Sequence, residues 1–307
     1  MNMSSEFSGL GELQRLSAGE LEAVFLPARG MLGASLKHRG VELLRRVDDL
    51  GEAAAKGSTA GIPLLHPWAN RLDGNRYSAA GKEVELDPAS PLLHRDANGF
   101  PIHGVPWALL SWEVRDATAR RLSAALDWRR PDLLTVFPYP HALEMDVSLA
   151  PEALEIAVTL AAGAEGPVPV SFGFHPYLGL AGAPRASWRL ELPAMQRLRL
   201  DERGIPDGGA EGFGASDAAL GNRAWDDGFA LPSEKAGFAL AAGGRKVSVE
   251  FLEGYRFAQV YAPPGQDLVA LEPMTAPTNA LGSGRGLRVV PAGGRYRAAF
   301  RIAAQAE

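Results

Sequence analysis

Apolar side chains in this chain recur at every second position, and nowhere does a 3.6-residue period persist over a dozen residues. Such alternation puts successive side chains on opposite faces of an extended strand. The clearest case is Leu143-Glu144-Met145-Asp146-Val147-Ser148-Leu149, which sets Leu143, Met145, Val147 and Leu149 against Glu144 and Asp146. It pairs with residues 154–160 around Ala150-Pro151-Glu152-Ala153. Comparable runs occur at 21–26, 31–38, 41–44, 108–114, 121–128, 188–192, 238–240, 246–251, 257–261 and 296–302, with a hairpin around Gly81. The 35 glycines and 23 prolines supply the turns between them. We expect an all-β fold: two large stacked sheets in one domain over 21–307, after a loose lead-in over 1–20. Segment 45–60 reads as a loop with room for one helical turn.

Charge and composition narrow the function classes. Thirty-six acids against 31 bases give a formal net charge of -5. That mild balance argues against nucleic acid or an anionic membrane as partner. There is no cysteine, which excludes disulfides and thiolate metal sites. No apolar run approaches the ~18 residues of a membrane span. Residues 1–7 lack a basic stretch followed by an apolar one, so the expected location is cytoplasmic. No metal motif such as H-E-x-x-H, no phosphate loop and no G-x-S-x-G elbow occurs.

Chemistry concentrates in a few proline-flanked stretches. In 268–281 an apolar run ends at Leu271, Glu272 follows, and Pro273 and Pro277 come next. The expectation is a strand that stops at Leu271 and a stiff loop that holds Glu272 at the mouth of a sheet. His175 lies in Phe172-Gly173-Phe174-His175-Pro176-Tyr177, where the aromatics suggest a dry wall. The same stretch equally suits a core histidine bonded to a carbonyl. His103 precedes Gly104 between Pro101 and Pro106, and the glycine would admit close approach of another group. Trp68-Ala69-Asn70-Arg71 offers a stacking face and a guanidinium for hydroxyl oxygens. Trp225-Asp226-Asp227-Gly228-Phe229 offers a second carboxylate, although Asp-Gly is also a turn signal. His38, His66, His94 and His141 read as structural. One carboxylate, two histidines, an arginine and several aromatics suit proton transfer on an uncharged polyhydroxylated ligand.

These stretches, in this order, resemble the aldose 1-epimerase (galactose mutarotase) family. Asn70-Arg71-Leu72, Ile102-His103-Gly104, Phe174-His175-Pro176-Tyr177 and Leu271-Glu272-Pro273-Met274-Thr275 carry the likeness. Trp225-Asp226-Asp227-Gly228-Phe229 is a looser fifth match whose register favours Asp226. The second histidine is followed by Pro-Tyr rather than the family's Thr-Tyr-Phe-Asn. The resemblance implies a large twisted antiparallel β-sandwich with a sugar in an open cleft. It also implies that Glu272 is general base, that His175 is general acid and that His103 assists at the ring oxygen. Arg71 and Asp226 would bind hydroxyls, with Asn70, Trp68 and Tyr177 as further sugar contacts. No metal or organic cofactor is needed for proton movement. Rival readings are a hexose-6-phosphate epimerase (which would want clustered cations beside Arg71 and Arg76), a non-catalytic sugar-binding protein and a glycosidase using Glu272 and Asp226. Exposed sheet edges leave both a monomer and a homodimer open.

Overall fold

The computed structural model describes Phe7, residues 9–45, Val47 and residues 49–306. Two large antiparallel sheets dominate it. The nine-stranded sheet runs, in spatial order, Ser216–Ala219, Arg189–Leu192, Ala236–Ala242, Arg245–Glu253, Arg295–Ala306, Ala153–Ala162, His141–Ala150, Arg121–Asp127 and Glu113–Ala117. The eight-stranded sheet runs Pro206–Phe213, Met195–Leu200, Trp225–Ala230, Phe257–Ala262, Val269–Met274, Gly173–Phe174 and Leu64–Leu65, and Tyr177–Leu178 also pairs with Val269–Met274. A four-stranded sheet over 14–42 is a separate layer. The expected pairing of 143–149 with 154–160 is in register, Leu149 opposite Leu154 and Leu143 opposite Leu160. Their apolar face is buried as the alternation demands.

The two large sheets meet through their apolar faces. Phe174 packs on Phe300 at 4.9 Å between ring centroids, and Phe172 meets Tyr296 edge-on at 6.3 Å. Burying one such aromatic contributes about 1.5–3 kcal/mol through the area removed from water. Phe172 and Phe174 are therefore cross-sheet core. Of the aromatics expected to wall His175, only Tyr177 lies against it.

Several local expectations change. Residues 1–6 and Ser8 of the expected lead-in lie outside the described residues. The rest is not loose: Gln14–Ala18 is a strand paired with Leu21–Leu26, and Leu16 and Ala18 are buried. The alternating run 108–114 is not one strand. Trp107–Leu109 is a 3-10 turn entered from Pro106, and pairing begins only at Glu113. Within 45–60 the helical turn is Leu50–Ala55, where the Asp49 carboxylate accepts the Glu52 N–H at 2.9 Å as a cap.

The largest correction concerns Glu272. The strand does not stop at Leu271 but continues to Met274, with Glu272 opposite Gln259 and Pro273 opposite Ala258. Proline is tolerated because the ladder on the other side is broken there. Met274 pairs with Gly173, and Ala270 with Tyr177, so residues 271–273 have no strand partner on that flank. The gap is filled by His175 and Pro176, which cross between the two short strands.

Candidate functional site

Sheet register decides which side chains meet. Asp226 is opposite Tyr261 and Tyr261 opposite Ala270; Gly228 is opposite Gln259 and Gln259 opposite Glu272. Directly paired residues share a face. Asp226, Gln259, Tyr261 and Glu272 thus project from one face of three adjacent strands. Trp225, Asp227, Phe229, Val260 and Leu271 project from the other, towards the core. Asp227 there pairs with Arg197 at 3.3 Å. The two neighbouring aspartates are separated by strand alternation, and Asp226 is the one beside Glu272. Its Oδ1 accepts Gln259 Nε2 at 2.6 Å.

His175 Nε2 lies 3.2 Å from Glu272 Oε1. Both side chains are at most 5 % exposed, which makes a proton between them costly to lose to solvent or to double. Burial pushes the Glu272 carboxyl well above its usual value; Asp226 pushes it further and Arg71 offsets part of this. Burial also holds the His175 imidazole well below its usual value. Burial thus favours the form in which the carboxyl keeps its proton and the imidazole is neutral, one proton for the pair. Glu272 Oε2 and His175 Nδ1 are buried and have no protein hydrogen-bond partner.

His103 meets the imidazole edge-on at 5.5 Å between ring centroids. It has φ of 63°, and its N–H donates to Asn70 O at 2.9 Å. Gly104 lets this happen: a Cβ there would stand 2.3 Å from His66 O. The close approach expected of that glycine is thus to backbone, and it clamps the two loops together. Burial holds His103 well below its usual value, with His175, Arg71 and His94 adding to the effect.

Arg71 is fixed by two groups. Its Nε donates to Asp96 Oδ2 at 2.8 Å and its Nη1 to Asn70 Oδ1 at 3.2 Å. Burial opposes charge on Asp96, but the Phe100 N–H, Arg71 and the Asn98 N–H outweigh it and hold the carboxyl low. Asn70, at φ 57°, also accepts the Arg71 N–H at 2.8 Å. The Asn70 carbonyl oxygen is therefore committed to orienting Arg71.

Two expected sugar contacts are placed differently. Trp68 is 1 % exposed and sits in the hydrophobic core against Tyr77, not among the site's polar groups. Tyr177 lies in the site, but its ring is stacked on His175 at 4.1 Å and 17° and its hydroxyl bonds Thr59. Arg76, considered as a cation for a phosphate, pairs with Glu85 on an exposed hairpin. His66 and His141 are structural: their Nε2 atoms meet at 2.9 Å within a buried aromatic cluster.

Gln259, Tyr261 and Asp96 escaped the sequence reading. For Gln259 a signal existed: a polar side chain between two aromatics, Phe257 and Tyr261, on one face of Phe257-Ala258-Gln259-Val260-Tyr261. Asp96 gave none, because its value comes from Arg71, 25 residues earlier. Among the described residues, no group of three or more His, Asp or Glu side chains is placed to hold a metal ion. No described helix is long and apolar enough to cross a membrane.

A buried carboxyl–imidazole pair thus lies beside Arg71, His103, Asp226 and Gln259 on a large antiparallel β-sandwich. The sequence model of the aldose 1-epimerase family matches residues 14–303, and the chain belongs to that family. A curated relative, the uncharacterized protein YihR of Escherichia coli (strain K12), is 27% identical over 263 residues, covering 80% of this chain and 81% of its own. A galactose mutarotase-like protein from Clostridium acetobutylicum superposes with TM-score 0.82 at 18% identity, covering 95% of each chain. A putative aldose 1-epimerase from Escherichia coli K12 gives TM-score 0.77 at 19% identity, covering 96% of this chain and 99% of that one.

Proposed function

We propose that this protein interconverts the α and β anomers of a free aldohexose by opening and reclosing the ring. The observation that supports the reading is the 3.2 Å contact between His175 Nε2 and Glu272 Oε1, with Arg71, His103 and Asp226 beside it. Moving the pair's single proton across that contact gives carboxylate and imidazolium with no net change in charge. Glu272 then takes the proton of the anomeric hydroxyl while His175 delivers one to the ring oxygen. The C1–O5 bond breaks, and C1 becomes an aldehyde carbon. Rotation about C1–C2 and the reverse transfers close the ring on the opposite face. His103 stands beside the ring oxygen, and Arg71 and Asp226 hold hydroxyls. Glu272 Oε2, which no protein donor occupies, is the acceptor available to the anomeric hydroxyl.

The direct test is polarimetry on freshly dissolved α-glucose or α-galactose. Catalytic amounts of protein should speed the approach to equilibrium rotation. Rotation that relaxes at the buffer rate with every aldohexose tried would defeat the reading. The aspartates give a sharper check. Asp226→Ala should raise KM by roughly 10–100-fold, the worth of a hydrogen bond to a charged acceptor. Asp227→Ala should leave KM within twofold and lower stability instead, because it removes the nearer carboxylate partner of Arg197 and leaves Glu211 at 3.7 Å. Equal KM effects would reject the register argument.

A further inference from the structure

We infer that Thr59, which lies in none of the chemistry-bearing stretches, is a positioning residue for His175 and acts through Tyr177. The inference rests on His175 being the acid of the proposed reaction. An imidazole is usually oriented by a hydrogen bond at the nitrogen not used in chemistry. Here that nitrogen, Nδ1, is buried and has no partner. Beyond the Glu272 contact at Nε2, orientation comes from packing. The imidazole stacks face-on against the Tyr177 ring at 4.1 Å and 17°, while His103 and Tyr261 meet it edge-on at 5.5 and 6.0 Å. The face-on ring is the contact that most directly opposes tilting of the imidazole plane.

The Tyr177 ring is in turn held by the bond between its hydroxyl and Thr59 Oγ1. Thr59 belongs to a segment that is already anchored. Trp107 Nε1 donates to Ser58 O at 2.9 Å, Tyr177 N to Gly61 O at 3.0 Å and His175 N to Pro63 O at 3.2 Å. A single side-chain bond therefore connects this frame to the plane of the acid. The stacked phenol also presents an electron-rich face to the imidazolium that forms during turnover.

Two measurements on Thr59→Val and Thr59→Ser test this. Valine keeps the shape and loses the hydroxyl; serine keeps the hydroxyl. In Thr59→Val, kcat should fall about tenfold with KM within twofold, the pattern of a misaligned acid rather than lost binding. Thr59→Ser should recover at least half of the lost activity. Crystals of Thr59→Val should show the Tyr177 ring tilted and His175 Nε2 more than 4 Å from Glu272 Oε1. An unmoved His175–Glu272 contact in Thr59→Val overturns the inference, and so does an undiminished kcat. A wild-type protein that never accelerates mutarotation defeats the functional reading alone, and the crystallographic distance then decides the role of Thr59.

Discussion

Glu272→Gln should lose turnover by about 10²–10⁴-fold while sugar affinity stays within a fewfold of wild type. The amide has the shape of the carboxyl and can still donate to His175 Nε2 across the 3.2 Å contact, so the fold and the imidazole are kept. What it cannot do is take a proton from the anomeric hydroxyl. Burial also dictates the pH dependence of the wild type. Glu272 is raised and His175 lowered, so the one-proton form of the pair spans the interval between them. The acid limb of the rate profile, where a second proton enters, falls below the ordinary histidine range. The alkaline limb, where the only proton leaves, rises above the ordinary carboxyl range. Both belong to the pair rather than to either residue. A plateau between the two limbs is therefore expected in the wild type, and Glu272→Gln, which leaves one titrating group of the pair, should show a single limb. Turnover in the variant within tenfold of wild type, measured by polarimetry with binding followed by calorimetry, would remove Glu272 from the role of base.

Much of this was legible in the sequence because alternation and proline placement are local. The Leu143–Leu149 face, the strand nature of the chain and the family resemblance of the Glu272 and His175 stretches required no knowledge of partners. What could not be read depends on register. Glu272 looked like a strand end because Pro273 should break a ladder, yet that flank has no ladder between Met274–Gly173 and Ala270–Tyr177. Asp226 and Asp227 were separable by residues alone only through the family pattern. In the fold a cross-strand match with Tyr261 and Val260 puts them on opposite faces. Trp68 resembled a sugar platform because an aromatic face three residues before Arg71 could stack on a ring. Its burial against Tyr77 follows from a loop path that no local pattern announces. Asp96 and Thr59 matter only through Arg71 and Tyr177, which lie far from them in the chain.

The same dependence on distant backbone makes Arg185 the residue whose loss should damage the fold most. Its guanidinium is buried and donates only to carbonyls: Nε to Gly221 at 3.1 Å, Nη1 to Gln266 at 3.0 Å and Leu268 at 3.2 Å, Nη2 to Arg223 at 3.0 Å and Ala262 at 3.5 Å. Gly221 and Arg223 lead into Trp225–Ala230, Ala262 ends Phe257–Ala262, and Leu268 precedes Val269–Met274. One planar cation therefore clasps the ends of the three strands that carry Asp226, Gln259, Tyr261 and Glu272. Burial pulls its pKa down, partly offset by Asp267, so the site accepts a charge only because five carbonyl dipoles face it. Arg185→Met fills the space but takes the guanidinium donors from all five carbonyls, of which Gln266 O keeps the Leu268 N–H. Breaking a buried charged network of this kind costs about 3–5 kcal/mol, equivalent in a chain of this length to a Tm lower by roughly 5–8 °C. Arg185→Lys should rescue little, because an ammonium has three donors and no planar fork. Urea unfolding decides it: a loss below about 1 kcal/mol for Arg185→Met, the size of one ordinary hydrogen bond, would show that the strand ends hold their places without the clasp.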